Sequence, residues 1–329
     1  MFAYFMVRKD IQMKYQITSS YQPKDFIQTQ EGLVFAVVEQ DLENGKVLCF
    51  LRYIKQGDFW QKLPSQQANQ LLKEEYPHYL FYSAVKSAHL HAVYVSDISI
   101  HHQPRQSLQL ILAKQAPDTI EQDLITLCQL LIEQGLELSD LGVTGSLLIG
   151  AQNSNSDIDL VVYGRKQFHH LRKHIKQLIN EDKLQQLDKH AWLDSYQRRA
   201  CDLNYAEYVW HEQRKYNKAL IKQRKFDLNL IEAAGSQIDM SYQKQGMVVI
   251  QAKVTDAQYA YDYPAKFIID HRSINEIVCY TATYAGQAEQ GETIEASGQL
   301  EVANTGQARL LVGSTREAQG EYIKVISQL

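Results

Sequence analysis

Two carboxylates placed two residues apart in an otherwise apolar strand constrain this chain more than any other feature. Asp157 and Asp159 flank Ile158, and Leu160, Val161 and Val162 continue the run. Alternate residues of a strand share a face, so both aspartates point one way while Ile158 turns to the core. Two like charges on one face repel and call for a counter-charge. Hard divalent cations supply it through oxygen ligands and keep positions for substrate phosphates. In a two-ion arrangement, one ion activates an attacking hydroxyl while the other steadies a triphosphate and its leaving pyrophosphate. A few residues upstream, a short apolar strand from Leu141 ends in Gly145 and Ser146. Glycine lets backbone approach a phosphate, and the short helix predicted from Leu147 to Ala151 would present free amides beside it.

The surrounding sequence can support such a site. Asp118 with Glu121 forms a capping-box pattern, and Ile120, Leu124, Leu127, Cys128 and Leu131 follow at helical spacing, with Gly135 as the stop. Helical periodicity returns from 165 to about 181 through Phe168, Leu171, Ile175 and Leu178, and a second helical region is expected from Ala206 to Gln223. A strand then runs from Lys225 to Ile231, with Asp227 and Asn229 alternating against Phe226, Leu228 and Leu230. Between Arg165 and Lys225, 15 Lys and Arg face 7 Asp and Glu, whereas the whole chain has a formal net charge of -4. Arg214, Lys215, Lys218, Lys222, Arg224 and Lys225 crowd the approach to the Asp227 strand. They read either as a solvated face or as charge that neutralises a triphosphate or an RNA backbone.

Flanking segments differ in texture. Residues up to 114 read as an α/β segment, with β-rich runs on either side of a hairpin signal at Asn44-Gly45. Its histidines His78, His89, His91, His101 and His102 lack acidic or cysteine partners at ligand spacing apart from Asp97, and a structural role is expected for them. From Gly246, short alternating strands with glycine turns suggest a small antiparallel barrel or sandwich, and an OB-like barrel would favour a nucleic-acid acceptor. Tyr259, Tyr261, Tyr263, Tyr280 and Tyr284 could stack on bases, although packing is the commoner use of such residues. Cys49, Cys128, Cys201 and Cys279 are scattered and read as reduced thiols. Met13 is a candidate initiator. No apolar run approaches the length of a membrane span, so a cytoplasmic protein without membrane association is expected.

The order of Gly145-Ser146, a ten-residue helical turn and then Asp157-Ile-Asp159 in a Val/Leu-rich strand resembles the nucleotidyltransferase superfamily of DNA polymerase β and the CCA-adding enzymes. The resemblance implies that Gly145 and Ser146 hold a triphosphate and that Asp157 and Asp159 bind two metal ions. It also implies a third carboxylate on a neighbouring strand. Asp227 is the candidate and Asp202 the rival. Lys218 and Lys222 are further candidates for nucleotide binding. Along its whole length the chain also resembles a family of predicted nucleotidyltransferases from archaea and bacteria of undefined activity. Asp25-Phe-Ile with Glu31-Gly-Leu-Val-Phe-Ala36, Tyr263-Pro-Ala-Lys-Phe267, and Tyr284-Ala-Gly-Gln-Ala288 with Gly291-Glu292 carry that likeness.

The expected architecture is therefore α+β. An N-terminal α+β domain (1–114) precedes a nucleotidyltransferase domain with a mixed sheet (115–235) and a C-terminal β-rich, OB-like domain (245–329). The expected activity is Mg²⁺- or Mn²⁺-dependent transfer of an NMP from an NTP to an acceptor hydroxyl, with release of pyrophosphate. RNA, DNA, a protein or a small molecule could supply the hydroxyl. The alternative is an inactive nucleotide- or nucleic-acid-binding protein of the same fold.

Overall fold

A computed structural model describes residues 20–86, 88–232, 242–315 and 318–326. The segment around Met13 lies outside them. The chain divides into two compact units. One holds the described N-terminal residues up to Phe81 together with Leu90–Gln103, and the other holds Tyr82–His89 with Pro104 onward. The segments read in the sequence as 115–235 and 245–329 both fall in the second unit.

The first unit is built on β1 (Phe26–Thr29), β2 (Leu33–Glu43), β3 (Lys46–Gln56), β4 (Phe59–Lys62), α1 (Ser65–Glu75), the first half of β5 (Leu80–Ser83), most of β6 (Ala88–Tyr94) and β7 (Ile98–His102). Its sheet runs β6-β3-β2-β1-β7, and β4 also pairs with β3. The β2–β3 hairpin turns at Asn44 and Gly45, both at positive φ, as that dipeptide predicts. Two of its histidines serve the sheet. His91 Nδ1 accepts from the Leu51 amide at 2.9 Å while Nε2 meets Asn69 Oδ1 at 2.8 Å, and His101 Nε2 meets the buried Asp25 Oδ2 at 2.8 Å.

The second unit opens with α2 (Pro104–Leu112) and α3 (Thr119–Ile132), the latter begun by the full Asp118/Glu121 capping box. Then come β8 (Leu141–Thr144), β9 (Ile158–Tyr163), α4 (Arg165–Asn180), α5 (Lys189–Arg199), α6 (Tyr205–Lys215), β10 (Lys218–Ile221) and β11 (Arg224–Ile231). The four strands form a sheet ordered β10-β11-β9-β8, in which β9 and β11 are parallel and the other pairs antiparallel. Leu124, Leu127 and Leu131 of α3, Phe168, Leu171 and Ile175 of α4, and Ile158, Leu160 and Leu228 of the sheet form one buried core. Each such side chain contributes roughly 1.5–3 kcal/mol on burial. The helix expected to run to Gln223 stops at Lys215. Tyr216 takes a left-handed conformation there, and β10 returns through a two-residue turn at Lys222 and Gln223, both at positive φ.

The rest is a β domain of β12 (Tyr242–Asp256), β13 (Ala265–Asp270), β14 (Glu276–Cys279), β15 (Thr293–Ala303), β16 (Ala308–Val312) and β17 (Tyr322–Val325). β12 pairs with both β13 and β15, so the circuit β12-β13-β14-β16-β15 closes on itself, and β17 adds to β15. The expectation of a purely antiparallel arrangement is corrected, because β14 and β16 run parallel. The barrel core, with Val254, Phe267, Ile277 and Ile294, also takes in Trp192 of α5 and Tyr208 of α6. Those two helices thus lay their apolar side on the barrel. Polar clamps reinforce the join. The Arg165 guanidinium forks onto Asp262 at 2.6 and 3.0 Å, Arg214 meets Glu292 at 2.6 Å, and Lys215 Nζ donates to the Thr283 carbonyl at 2.8 Å. Among the described residues no helix is long and apolar enough to cross a membrane.

Candidate active site

The sheet register assembles the candidate residues. Thr144, the last residue of β8, stands opposite Asp159 in β9, and Asp159 stands beside Asp227 in the parallel strand β11. Three neighbouring strands therefore bring Gly145, Asp159 and Asp227 to one level. Asp157, just before β9, falls on the same face as Asp159 by strand alternation. Asp202, the rival for the third carboxylate, accepts a hydrogen bond from the Gly320 amide at 2.8 Å in the loop before α6, against the β domain.

Gly145 is required twice over. Its φ of +68° is the left-handed region that only glycine enters cheaply, and a Cβ at this position would collide with the Asp159 carboxylate. The strand therefore turns tightly under the carboxylate, and the short 3-10 turn Gly145–Ile149 carries Ser146 past it half-buried. The chain then reaches Asp157 through a polar turn in which the Asn155 amide donates to Asn153 Oδ1 and the Asn153 amide to Ser156 Oγ, each at 3.0 Å. Arg224 pins this turn. Its Nη1 donates to the carbonyls of Ser154 and Ser156 at 3.0 and 2.9 Å, while Nε holds Asp123 of α3 at 2.8 Å.

Lys225 occupies the middle of the site. Its ammonium lies 2.9 Å from Asp157 Oδ2 and 3.3 Å from Asp227 Oδ2. Burial works against its charge, but the Asp227 and Asp157 carboxylates outweigh it and hold the lysine pKa above its ordinary value. Arg198, at the end of α5, approaches the same Asp157 oxygen at 3.9 Å. The other Asp227 oxygen, Oδ1, is buried without a hydrogen-bond partner. A buried carboxylate oxygen without a partner is the kind of donor that hard cations select. As the side chains stand, no group of three His, Cys, Asp or Glu among the described residues converges on one point.

The basic run forms neither a solvated face nor a free anion cradle. Arg214 pairs with Glu292, Lys215 and Lys218 share the buried Glu212, and Arg224 and Lys225 serve the site as described. Lys218 stands opposite Asp227 in register, but its ammonium is engaged by Glu212. Lys222, at the hairpin turn, donates to Thr126 Oγ1 at 3.1 Å. The lysines at Glu212 hold its carboxyl well below the usual range despite complete burial, and burial lowers the Lys215 ammonium in turn. Of the five tyrosines, Tyr284 is buried, Tyr261 lies beneath the Arg172 guanidinium at 3.9 Å and Tyr259 beneath the Arg165 guanidinium at 4.7 Å, while Tyr259 and Tyr263 remain partly exposed. Two contributors went unnoticed in the sequence, Arg224 as the anchor of the Asp157 turn and Arg198 beside Asp157. Only their membership in a basic stretch marked them.

Comparison with known proteins bears on this geometry. A family model described as a nucleotidyltransferase domain matches residues 128–229, a span that ends just past Asp227. An uncharacterized protein of Methanocaldococcus jannaschii is 33% identical over 333 aligned residues, covering 92% of this chain and 98% of its own length. No solved structure matches the chain.

Proposed function

The chain belongs to the family of that archaeal protein and carries a nucleotidyltransferase domain, and from this premise we propose that it transfers an NMP from an NTP to the hydroxyl of a nucleic-acid acceptor. The observation that carries the reading is the register setting Asp227 beside Asp159 and Asp159 beside Thr144. In the reaction, the acceptor oxygen forms a bond to the α-phosphorus and the bond from that phosphorus to the β-phosphate bridging oxygen breaks. Pyrophosphate leaves with that electron pair. The acceptor proton passes to the Asp227 carboxylate. Gly145 admits the triphosphate close to the backbone, and Ser146 offers it a hydroxyl. Asp157, Asp159 and Asp227 would hold Mg²⁺ or Mn²⁺, which when bound supplies positive charge to the phosphates and acidifies the acceptor hydroxyl.

The β domain supports this choice of acceptor class. A closed five-stranded circuit ordered first-second-third-fifth-fourth, with third and fifth strands parallel, is the connectivity expected of an OB-like barrel. Such barrels bind oligonucleotides, and the partly exposed Tyr259 and Tyr263 lie in the loop between β12 and β13. A second reading, nucleotide binding without turnover, draws on the lysine seated between Asp157 and Asp227.

The test is transfer of label from each α-labelled NTP into a cell extract with Mg²⁺ or Mn²⁺. Wild type should label an acceptor that nuclease digests. Asp157→Ala, Asp159→Ala and Asp227→Ala should each reduce labelling by at least ~100-fold, the scale expected for losing a group that acts on the transition state. Equal labelling by the three variants sinks catalysis at this site. Label that resists nuclease but yields to protease moves the acceptor to protein. Nucleotide binding by the wild type without any labelling favours the second reading.

A further inference from the structure

Between Arg165 and Lys225 the chain carries 15 Lys and Arg against 7 Asp and Glu, and the cations from Arg214 onward are largely engaged inside the fold. The surplus is concentrated on α4. Its 16 residues include Arg165, Lys166, Arg172, Lys173 and Lys176, three histidines and no carboxylate. Helical spacing sorts them into two adjacent rows. In the first, at 165, 169, 172 and 176, each side chain meets an aromatic ring. Arg165 stands 4.7 Å from the Tyr259 ring, Arg172 3.9 Å from Tyr261 and Lys176 5.3 Å from Tyr216, while His169 packs edge-on against Tyr261 at 5.7 Å. In the second row Lys166, His170 and Lys173 are exposed, and neither lysine has a carboxylate partner among the described residues.

This arrangement works against the helix itself. Arg165 and Lys166 stand in the first turn, where the helix dipole disfavours cations, and Arg172 and Lys176 are like charges one turn apart. A polyanion laid along the outer face would relieve both. The start of α4 meets the loop between β12 and β13, where Arg165 forks onto Asp262 beside the partly exposed Tyr259. Its inner face packs on β9 and β11, the strands of Asp159 and Asp227. We propose that the outer face of α4 is a track for single-stranded nucleic acid, with phosphates on Lys166 and Lys173 and a base on the Tyr259 ring. The proposal deepens the nucleic-acid-acceptor reading above and rests on it. Exposed lysines neutralise phosphates whatever the sequence, and unstacked bases suit a partly exposed aromatic ring. A duplex, its bases stacked on one another, would leave Tyr259 unused.

The experiment follows the fluorescence anisotropy of a labelled oligouridylate of about 20 nucleotides, longer than one such barrel covers, added to the full chain without NTP over a range of salt. Replacing both exposed lysines, Lys166→Gln with Lys173→Gln, should reduce the steepness of log affinity against log salt by about 1.4, which is roughly 25-fold in affinity at ~0.1 M salt. Tyr259→Leu should weaken binding at least ~5-fold and leave that slope unchanged. Lys73→Gln with Lys253→Gln removes the same charge from exposed positions on α1 and β12 and should leave affinity within ~2-fold of wild type. Equal losses from the two double variants, or no loss from the α4 pair, overturn the track while leaving the acceptor reading intact. A duplex of the same strand with its complement, bound as tightly as the single strand, does the same. Wild type that binds no oligouridylate also overturns the track, and the labelling assay then judges the acceptor by itself, since nuclease-sensitive label keeps that reading and protease-sensitive label removes it. Because both α4 lysines are exposed, their replacement should leave the fold intact, which a thermal melt checks.

Discussion

At the scale of the residue, two glycines in one short turn should behave differently. Gly145 and Gly150 both sit at a φ of +68°, but a Cβ on Gly145 meets the Asp159 carboxylate while one on Gly150 meets open space. An alanine in this conformation costs about 1–2 kcal/mol. Gly150→Ala should therefore lower stability by that amount and leave nucleotide transfer within about threefold of wild type, a change of well under 1 kcal/mol in barrier. Gly145→Ala should lower stability by at least as much and cut transfer by more than ~10-fold, because Asp159 must move. Thermal melts and labelling rates of the two variants, measured side by side, check this, and equal activity losses would refute it. The pair Asp157 and Asp159 was legible in the sequence because both its features are local, the period of two and the apolar surroundings. Asp227 was preferred to Asp202 there only on the alternation of its own strand. What separates them is a pairing between residues 159 and 227, which no local pattern encodes.

At the scale of the element, α6 is joined to β17 by one neutral histidine. His211 Nδ1 faces the Glu207 carbonyl at 2.7 Å, so it carries the proton, and Nε2 accepts from the Val325 amide at 3.0 Å. Protonation would remove that acceptor. Burial, with a further push from Lys215 and Arg214, lowers its pKa from 6.5 to about 4. Because the folded value lies below the unfolded one, the stability this gives is complete above pH 6.5 and is lost as pH falls toward 4. Wild type should lose about 2–3 kcal/mol from this source between pH 7 and 4.5. Urea denaturation should find that part of the slope missing in His211→Gln. His102, likewise lowered to about 4 by burial, adds a slope of the same sense that the variant retains. Elements with strong periodicity, α3 and α4 among them, were readable in advance. β10 was not, since Lys222 and Gln223 make a tight turn without the Gly or Asn that normally announces one. β15 was hidden as well. It mixes small and polar residues such as Ala296, Ser297 and Gly298, and it needs Gly298 because a Cβ there would strike the Leu311 carbonyl of β16.

At the scale of the molecule, the four-stranded sheet and the barrel are tied through Glu212. One buried carboxylate answers Lys215 and Lys218, and Lys215 goes on to the Thr283 carbonyl of the β domain. Glu212→Gln would leave two buried ammonium groups without a counter-charge, at a cost of about 3–5 kcal/mol. Replacing all three by apolar residues of similar volume, as in Glu212→Leu with Lys215→Met and Lys218→Met, should recover most of that loss. Chemical denaturation of the two variants checks the prediction, and a triple variant no more stable than the single one would refute it. The parallel pairing of β9 with β11 has a further consequence, for synthesis of the chain. Asp227 can join Asp159 only after α4, α5, α6 and the β10–β11 hairpin have been made. A nascent chain shorter than this carries the Gly145 turn and the first two aspartates but no third carboxylate and no Lys225. Domains generally fold as units while emerging from the ribosome. Premature termination before β11 therefore yields fragments in which β9 has no parallel neighbour and the Asp157–Asp159 segment no partner from Arg224 or Lys225.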